Sequence, residues 1–400
     1  MFEFTALDVE EGDSFLIKKH DKVILIDGGK DSSNSFTEKI KSKKINNIDL
    51  IVCTHADTDH SEGLINLLKS NYLKKCNMIW MPAIWKKHIQ LLKEKNQSFI
   101  LDLIEEVKKE NDIANEVIEG FINVNEIDAV RNKEGFTKAS PRENLTLNYI
   151  YNNGSKKFHF NYGINFVDSF SINQFCLIRK ALHTYGKLLE LIEVASVKRI
   201  PITWFDLVES PLTHKDYFNF KEDGLLTPLC HRPITVQEIN NKPNPDVLGM
   251  LRKGDVNKES IVLASKKDTK LPLVIISSDS DFELIKWMPS SEEMLITVPH
   301  HGSSRNSEAI QKCISLSSGK NLKYIRGDSS RISISNEFLT LKNDFNTFCT
   351  ICREWNIPKR SGTKVRQNAQ SIDVYFENNK LRVSDNSRPC KCRRKCTKHP

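Results

Sequence analysis

Four side chains of metal-ligand type fall within six residues in His55-x-Asp57-x-Asp59-His60. Imidazole nitrogens and carboxylate oxygens suit Zn or Mn, and the carboxylates favour the harder ion. On an extended segment, residues 55 and 57 point the same way. Asp59 and His60 are adjacent and must diverge unless the chain turns between them. That spread suits two cations held close together better than one. A helix N-cap would need one side-chain oxygen here, not four ligand-type residues. Two later fragments extend the set. Asp279 follows Val274-Ile275-Ile276-Ser277-Ser278, where its carboxylate could bridge two cations. His300-His301-Gly302-Ser303 follows the apolar run Leu295 to Val298. Paired cations bring the pKa of a water toward neutrality and offset charge on an oxyanion, so the pattern points to hydrolysis.

The elements that must position these residues read as an α/β chain. Phe15-Leu16-Ile17 and Val23-Ile24-Leu25-Ile26 predict a hairpin that stops at Asp27-Gly28-Gly29. A short helix is expected over 35–43. Leu50 to Cys53 predicts a buried strand emptying into the His55 segment, and a helix is expected from Ser61. Three separate strands thus end in candidate ligands, and functional groups gather at the C-terminal ends of strands in such folds. Apolar spacing predicts helix over 84–120 and 172–198. Residues 130–165 read as loops or short hairpins. Residues 206–256 hold five of the fourteen prolines and read as irregular.

Taken in order, the fragments LIDGG, THADTDHSEGL, NKESIVL, IISSD and VPHHGSS resemble the metallo-β-lactamase superfamily. More narrowly they resemble the branch typified by the soluble hydrolase domain of ComEC-type DNA-uptake proteins, which also writes an acid at the position of Asp57. The resemblance covers residues 1–70 and 250–310, and more weakly extends to about 383. It implies an α/β fold, an αββα sandwich with the metals at one edge of its two sheets; residues 75–250 match no part of it and read as a largely helical insertion. The division expected is 1–74 and 251–383 as two halves of one domain, 75–250 as the insertion, and 384–400 as a basic, cysteine-rich tail.

The same resemblance implies two divalent metal ions, Zn or Mn. His55 and Asp57 would hold one, Asp59, His60 and a histidine of the PHHG segment the other, with Asp279 bridging. Of the paired histidines, His301 is the favoured ligand and His300 the group facing substrate, so Asp59 and His300 stand nearest the chemistry. Asp27 would orient the motif loop from behind, with Asn257 and Ser260 also behind the ligands. Many relatives carry a further histidine upstream of the bridging acid. This chain has Asn257 there, which leaves the first metal short of donors. His231 is an alternative donor in a proline-rich stretch.

The net charge is +8, and the last thirteen residues hold six Lys or Arg and no acid. A basic chain with two-metal chemistry favours an anionic substrate, so a phosphodiesterase or nuclease is expected, with nucleic acid or another phosphodiester as partner. A lactone, thioester or other non-phosphate ester is the alternative substrate. A catalytically weak nucleic-acid-binding or regulatory module is the alternative of another class. No run approaches the ~18 apolar residues of a membrane span, so no membrane partner is expected. The start carries no charged segment followed by an apolar run, so the expected location is cytoplasmic, with cysteines reduced or metal-bound.

Cys390-x-Cys392-x3-Cys396-x2-His399 offers four zinc-type ligands for a possible structural zinc. Cys349 and Cys352 sit among Phe345, Phe348, Ile351 and Trp355 at helical spacing and read as core residues of a helix. His88, His183, Trp80, Trp85 and Trp204 read as ordinary core or surface residues.

Overall fold

The computed structural model describes residues 2–9, 11–31, 35–91, 106, 146–152, 155–161, 172–208, 217, 220, 225–245, 258–265, 272–317, 321–327, 333–344, 346–350, 371–378, 380–384 and 389–390. Contacts divide the chain into two compact units. One comprises Met1–Trp85, Glu190–Asn241 and Asn257–Pro400, and the other Lys86–Leu189 and Lys242–Val256.

The first unit opens with β1 (Phe2–Ala6), β2 (Phe15–Lys19), β3 (Lys22–Ile26), α1 (Ser35–Ser42), β4 (Asn47–Ile48) and β5 (Leu50–Val52). Then come α2 (Thr58–Lys69), β6 (Lys75–Cys76) and β7 (Ile79–Pro82). The second unit contributes the hairpin β8 (Thr146–Asn152) and β9 (Ser155–Asn161). The helix α3 (Ile172–Val197) runs across the division. The first unit resumes with β10 (Ile202–Leu207), β11 (Leu226–Pro228), β12 (His231–Ile234) and α4 (Val236–Asn241). It continues through β13 (Leu263–Ser265), β14 (Leu273–Ile276), β15 (Glu293–Thr297) and α5 (Ser307–Leu316). The last elements are β16 (Asn321–Arg326), α6 (Asn336–Asp344), β17 (Asn346–Cys349), β18 (Ile372–Glu377) and β19 (Lys380–Val383).

Nine strands form one sheet in the order β12-β10-β7-β5-β3-β2-β1-β18-β19, and six form another in the order β11-β13-β14-β15-β16-β17. The expected hairpin is present, with Ile17 opposite Ile24. From β3 through β5 and β7 to β10 the pairing is parallel, as it is from β14 through β15 and β16 to β17. Parallel strands buried on both faces need continuous apolar runs, and Leu50 to Val52 and Leu273 to Ile276 supply them. The side-chain period of two sorts each strand between two cores. Val274, Ile276, Leu295 and Ile325 face Phe4, Ile17, Val52 and Trp80 of the nine-stranded sheet in one cluster. Leu273, Ile275, Met294, Ile296 and Tyr324 face Ala309, Ile310 and Cys313 of α5 and Phe338 and Leu341 of α6 in another.

Two readings of the sequence need correction. The stretch 206–256 is not mainly irregular where it is described, because β11, β12 and α4 lie within it. Its prolines mislead because Pro228 and Pro233 lie in β11 and β12, the outermost strands of their sheets. An edge strand can spare an N–H, so proline is tolerated there. Cys349 ends a strand, not a helix. Its segment pairs in parallel with β16, and a short apolar run fits either period. Strands from within 75–250 join both sheets, so that stretch is not wholly separate from the rest. Most of the helix expected over 84–120 lies outside the described residues, although 83–91 are helical. Within the second unit, His88 Nδ1 lies 2.6 Å from the Tyr185 hydroxyl, both buried. Trp80, Trp85 and Trp204 are core residues, and His183 is exposed.

Candidate metal centre

Asp57 takes the N-cap position of α2, with φ −61° and ψ 144°, yet its side chain makes no capping hydrogen bond. The acid is therefore not explained by capping. The helix begins at Thr58, three residues before the expected start, so the turn between 57 and 60 is helical. That turn separates Asp59 from His60 and sends His60 inward to complete burial. Gly12 makes the close approach possible. Its φ is +94°, and a Cβ there would lie 1.7 Å from the Asp59 carbonyl oxygen.

Asp279 stands at the centre. Its Oδ1 lies 3.6 Å from His60 Nε2 and 3.5 Å from His301 Nε2. Its Oδ2 lies 3.7 Å from His55 Nε2 and 3.5 Å from His300 Nε2. Each carboxylate oxygen thus faces two imidazoles, and the four rings come from two loops far apart in sequence. Burial alone would raise the Asp279 pKa, but His300, His301, His60 and His55 together hold it far below the usual carboxylate range. Desolvation pushes Asp59 up; His60 and His301 oppose this, and the Asp57 and Asp279 carboxylates add to it. Asp59 is therefore within electrostatic reach of both loops.

The outer edges of the rings are also held. Asp27, at φ 56°, accepts from the Thr54 backbone N–H at 2.8 Å and from the Thr54 hydroxyl at 2.7 Å, and lies 2.9 Å from His60 Nδ1. Burial lowers the His60 pKa, but Asp27 and Asp279, with a smaller part from Asp59, lift it well above its ordinary value. Ser278 Oγ lies 3.3 Å from His55 Nδ1 and 2.5 Å from Thr54 Oγ1. Asp13 Oδ1 lies 3.1 Å from His301 Nδ1. Desolvation lowers His301, but Asp13 and Asp279 outweigh it and raise the ring to about 9.

Asp13 is the residue that spacing in the sequence did not reveal. It is buried, and a Cβ at Gly327 would meet its Oδ1 at 1.7 Å, so glycine leaves room for the acid. The only signal was a Gly-Asp pair between two strands, which reads as an ordinary turn. Asp13, His60, Asp279 and His301 place ligand atoms within 4.8 Å of one another, as do Asp27, His55 and His60. His55 Nε2, His60 Nε2, His301 Nε2 and Asp279 Oδ1 are buried without a hydrogen-bond partner. Convergent buried donors left unsatisfied are costly unless a cation takes them, so the donor set fits divalent metal.

Ser260 is buried, and the next residue, Ile261, donates its N–H to the Thr54 carbonyl at 3.1 Å. Asn257 lies outside the described residues. His231 belongs to neither ligand cluster. Its Nε2 lies 3.2 Å from the Glu259 carbonyl, and burial pushes its pKa down to about 3. Of the tail ligands, Cys390 is buried, with its N–H donated to the Thr347 carbonyl at 2.6 Å. Cys392, Cys396 and His399 lie outside the described residues. Among the described residues, no helix is long and apolar enough to cross a membrane.

Residues 7–124 match the family model of the Metallo-beta-lactamase superfamily, which supports a metal-dependent hydrolase. The match takes in Asp13, Asp27 and the His55–His60 loop, and it ends before Asp279 and the paired histidines. No curated protein matches the chain.

Proposed function

We propose that this chain is a two-metal hydrolase of the metallo-β-lactamase type, an αββα sandwich whose substrate is a phosphodiester. The observation that carries the reading is the division of labour at Asp279, with each oxygen facing two imidazole Nε2 atoms. His55, Asp57, His300 and Asp279 Oδ2 would hold one divalent cation, and Asp59, His60, His301 and Asp279 Oδ1 the other. Zn and Mn both suit this mixture of nitrogen and oxygen donors. His300 thereby fills the place that Asn257 leaves short, in contrast to the expectation that reserved it for substrate.

Two bound cations would supply an acidified water and positive charge against the developing oxyanion. The residues of the chain do the rest. Asp27 and Asp13 hold the Nδ1 edges of His60 and His301, which fixes each ring with its Nε2 lone pair turned to the centre. Thr54 and Ser278 do the same for His55. His300 is the least enclosed of the four rings, with a side chain 10% exposed, and so marks the side open to substrate. An anionic diester is favoured by the net charge of +8 and by the likeness to the ComEC-type branch.

Metal analysis of the purified protein followed by a substrate panel tests the reading. Two Zn or Mn per chain and turnover of a phosphodiester, with DNA and RNA among those offered, are expected. Turnover of a lactone or thioester instead would overturn the substrate assignment, and full retention of nucleic-acid binding without any turnover would favour a binding module.

A further inference from the structure

His300 and His301 stand in left-handed backbone, at φ 45° and 52°, and Gly302 follows at φ 79°. Side chains with a Cβ are strained in that region, so this turn does not hold itself. Its carbonyls show what holds it. The His300 carbonyl accepts from the Ser303 N–H at 2.9 Å, and the Gly302 carbonyl from the Ser335 N–H at 3.0 Å. The His301 carbonyl is taken by a side chain, Arg326 Nε, at 2.5 Å.

Arg326 is fully buried at the end of β16, between the histidine turn after β15 and Cys349 at the end of β17. Its Nη1 lies 3.3 Å from Cys349 Sγ, and its guanidinium lies 5.6 Å from the centre of the Phe338 ring. The same ring closes on Gly302, where a Cβ would lie 2.9 Å from Phe338 Cγ. Burying a guanidinium is expensive unless several groups share it, and here a carbonyl, a sulfur and an aromatic face do so. A lysine could charge this space but could not span these three partners with a planar fork.

We propose that Arg326 is a positioning residue for the metal centre. Through the His301 carbonyl it keeps the turn left-handed, so that His300 and His301 present Nε2 to opposite oxygens of Asp279. The assignment rests on the two-metal reading above. It makes Arg326 act through the turn without touching metal or substrate.

The test compares the wild type with Arg326→Met, which removes the donors, and Arg326→Lys, which restores charge and one donor group. Zn and Mn affinities are measured by chelator competition on protein shown by circular dichroism to be folded without metal. The absorption of the Co-loaded protein reports the ligand geometry. Arg326→Met is expected to weaken metal binding by about 10–100-fold, the usual effect of losing a group that orients a ligand, and to alter the Co spectrum. Arg326→Lys is expected to recover part of both. If Arg326→Met does not fold, Phe338→Leu provides the reading, because it keeps the arginine and loosens its seat; a smaller loss of affinity is expected. Two metals bound with wild-type affinity and spectrum in Arg326→Met, or in Phe338→Leu where that variant is needed, would overturn the assignment alone. A wild-type protein that binds no metal would overturn this assignment and the two-metal reading together.

Discussion

The loop after β5 and the loop after β15 both leave the ends of parallel strands, and both bring two imidazoles to Asp279, yet their backbones differ. From Asp57 to His60 the chain enters an ordinary helix, and the helical turn itself separates the side chains. From His300 to Gly302 it is left-handed throughout and depends on Arg326, Ser335 and Phe338. The first loop is locally specified, whereas the second is held in place by distant groups. A substitution should therefore act on the first mainly through its ligands and on the second through its supports as well.

Asp279, in the segment after β14, faces the imidazoles of both loops, and its loss gives the largest expected effect. Asp279→Asn keeps the size and removes the charge between four imidazoles. Metal content is expected to fall from two per chain toward one, and turnover by at least ~100-fold, as when metal-assisted charge stabilisation is lost. Atomic-emission metal counts beside kinetics on the substrate identified by the panel check this. Asp59→Ala, confined to the first loop, should lower bound metal and abolish turnover while the thermal transition persists, and full metal content in that variant would remove Asp59 from the ligand set.

Gly302→Ala probes the second loop without touching a ligand. The alanine must adopt φ +79° and push against Phe338. A loss of about 1–3 kcal/mol is expected in denaturant unfolding, with weaker metal binding. An unchanged midpoint would mean that the turn is not held as tightly as its geometry implies.

His231 isolates what the carboxylates do. Burial pushes it down to about 3, whereas His301 beside Asp13 and Asp279 rises to about 9. The folded chain keeps His231 neutral while the unfolded chain protonates it near pH 6.5. Its contribution to stability is therefore complete above that pH and is lost as pH falls toward 3, by up to about 1.4 kcal/mol per unit. His231→Gln should show a correspondingly shallower decline in unfolding free energy between pH 6.5 and 4 than the wild type; parallel slopes would count against a neutral buried ring.

The smallest effect has the opposite sign. Gly186 lies inside α3, and a Cβ there meets no atom within 4 Å. Gly186→Ala should raise stability by about 0.5–1 kcal/mol, since glycine weakens a helix interior. A loss at Gly186 as large as the one at Gly302 would remove the contrast between ordinary helix and supported turn.

The ligand types were legible because they are adjacent in the chain and follow apolar strands. His55, Asp57, Asp59 and His60 need only one strand end and one helical turn to come together, and both follow from local pattern. The helix start was read late at Ser61 because Thr58 and the ligands are polar and carry no apolar period. What the sequence alone could not decide was which atoms share Asp279. Asp13 and His300 reach the centre only because strand ladders bring separate segments to one end of the sheets, and no local spacing records such pairing. The same applies to Pro228 and Pro233, whose meaning depends on being at a sheet edge, and to Cys349, whose segment becomes a strand by pairing with β16. Arg326 had no sequence signal at all. A charged residue at a strand end reads as solvent-facing, and only the tertiary structure buries it beneath the histidine turn, where the unfavourable backbone creates the need for a donor.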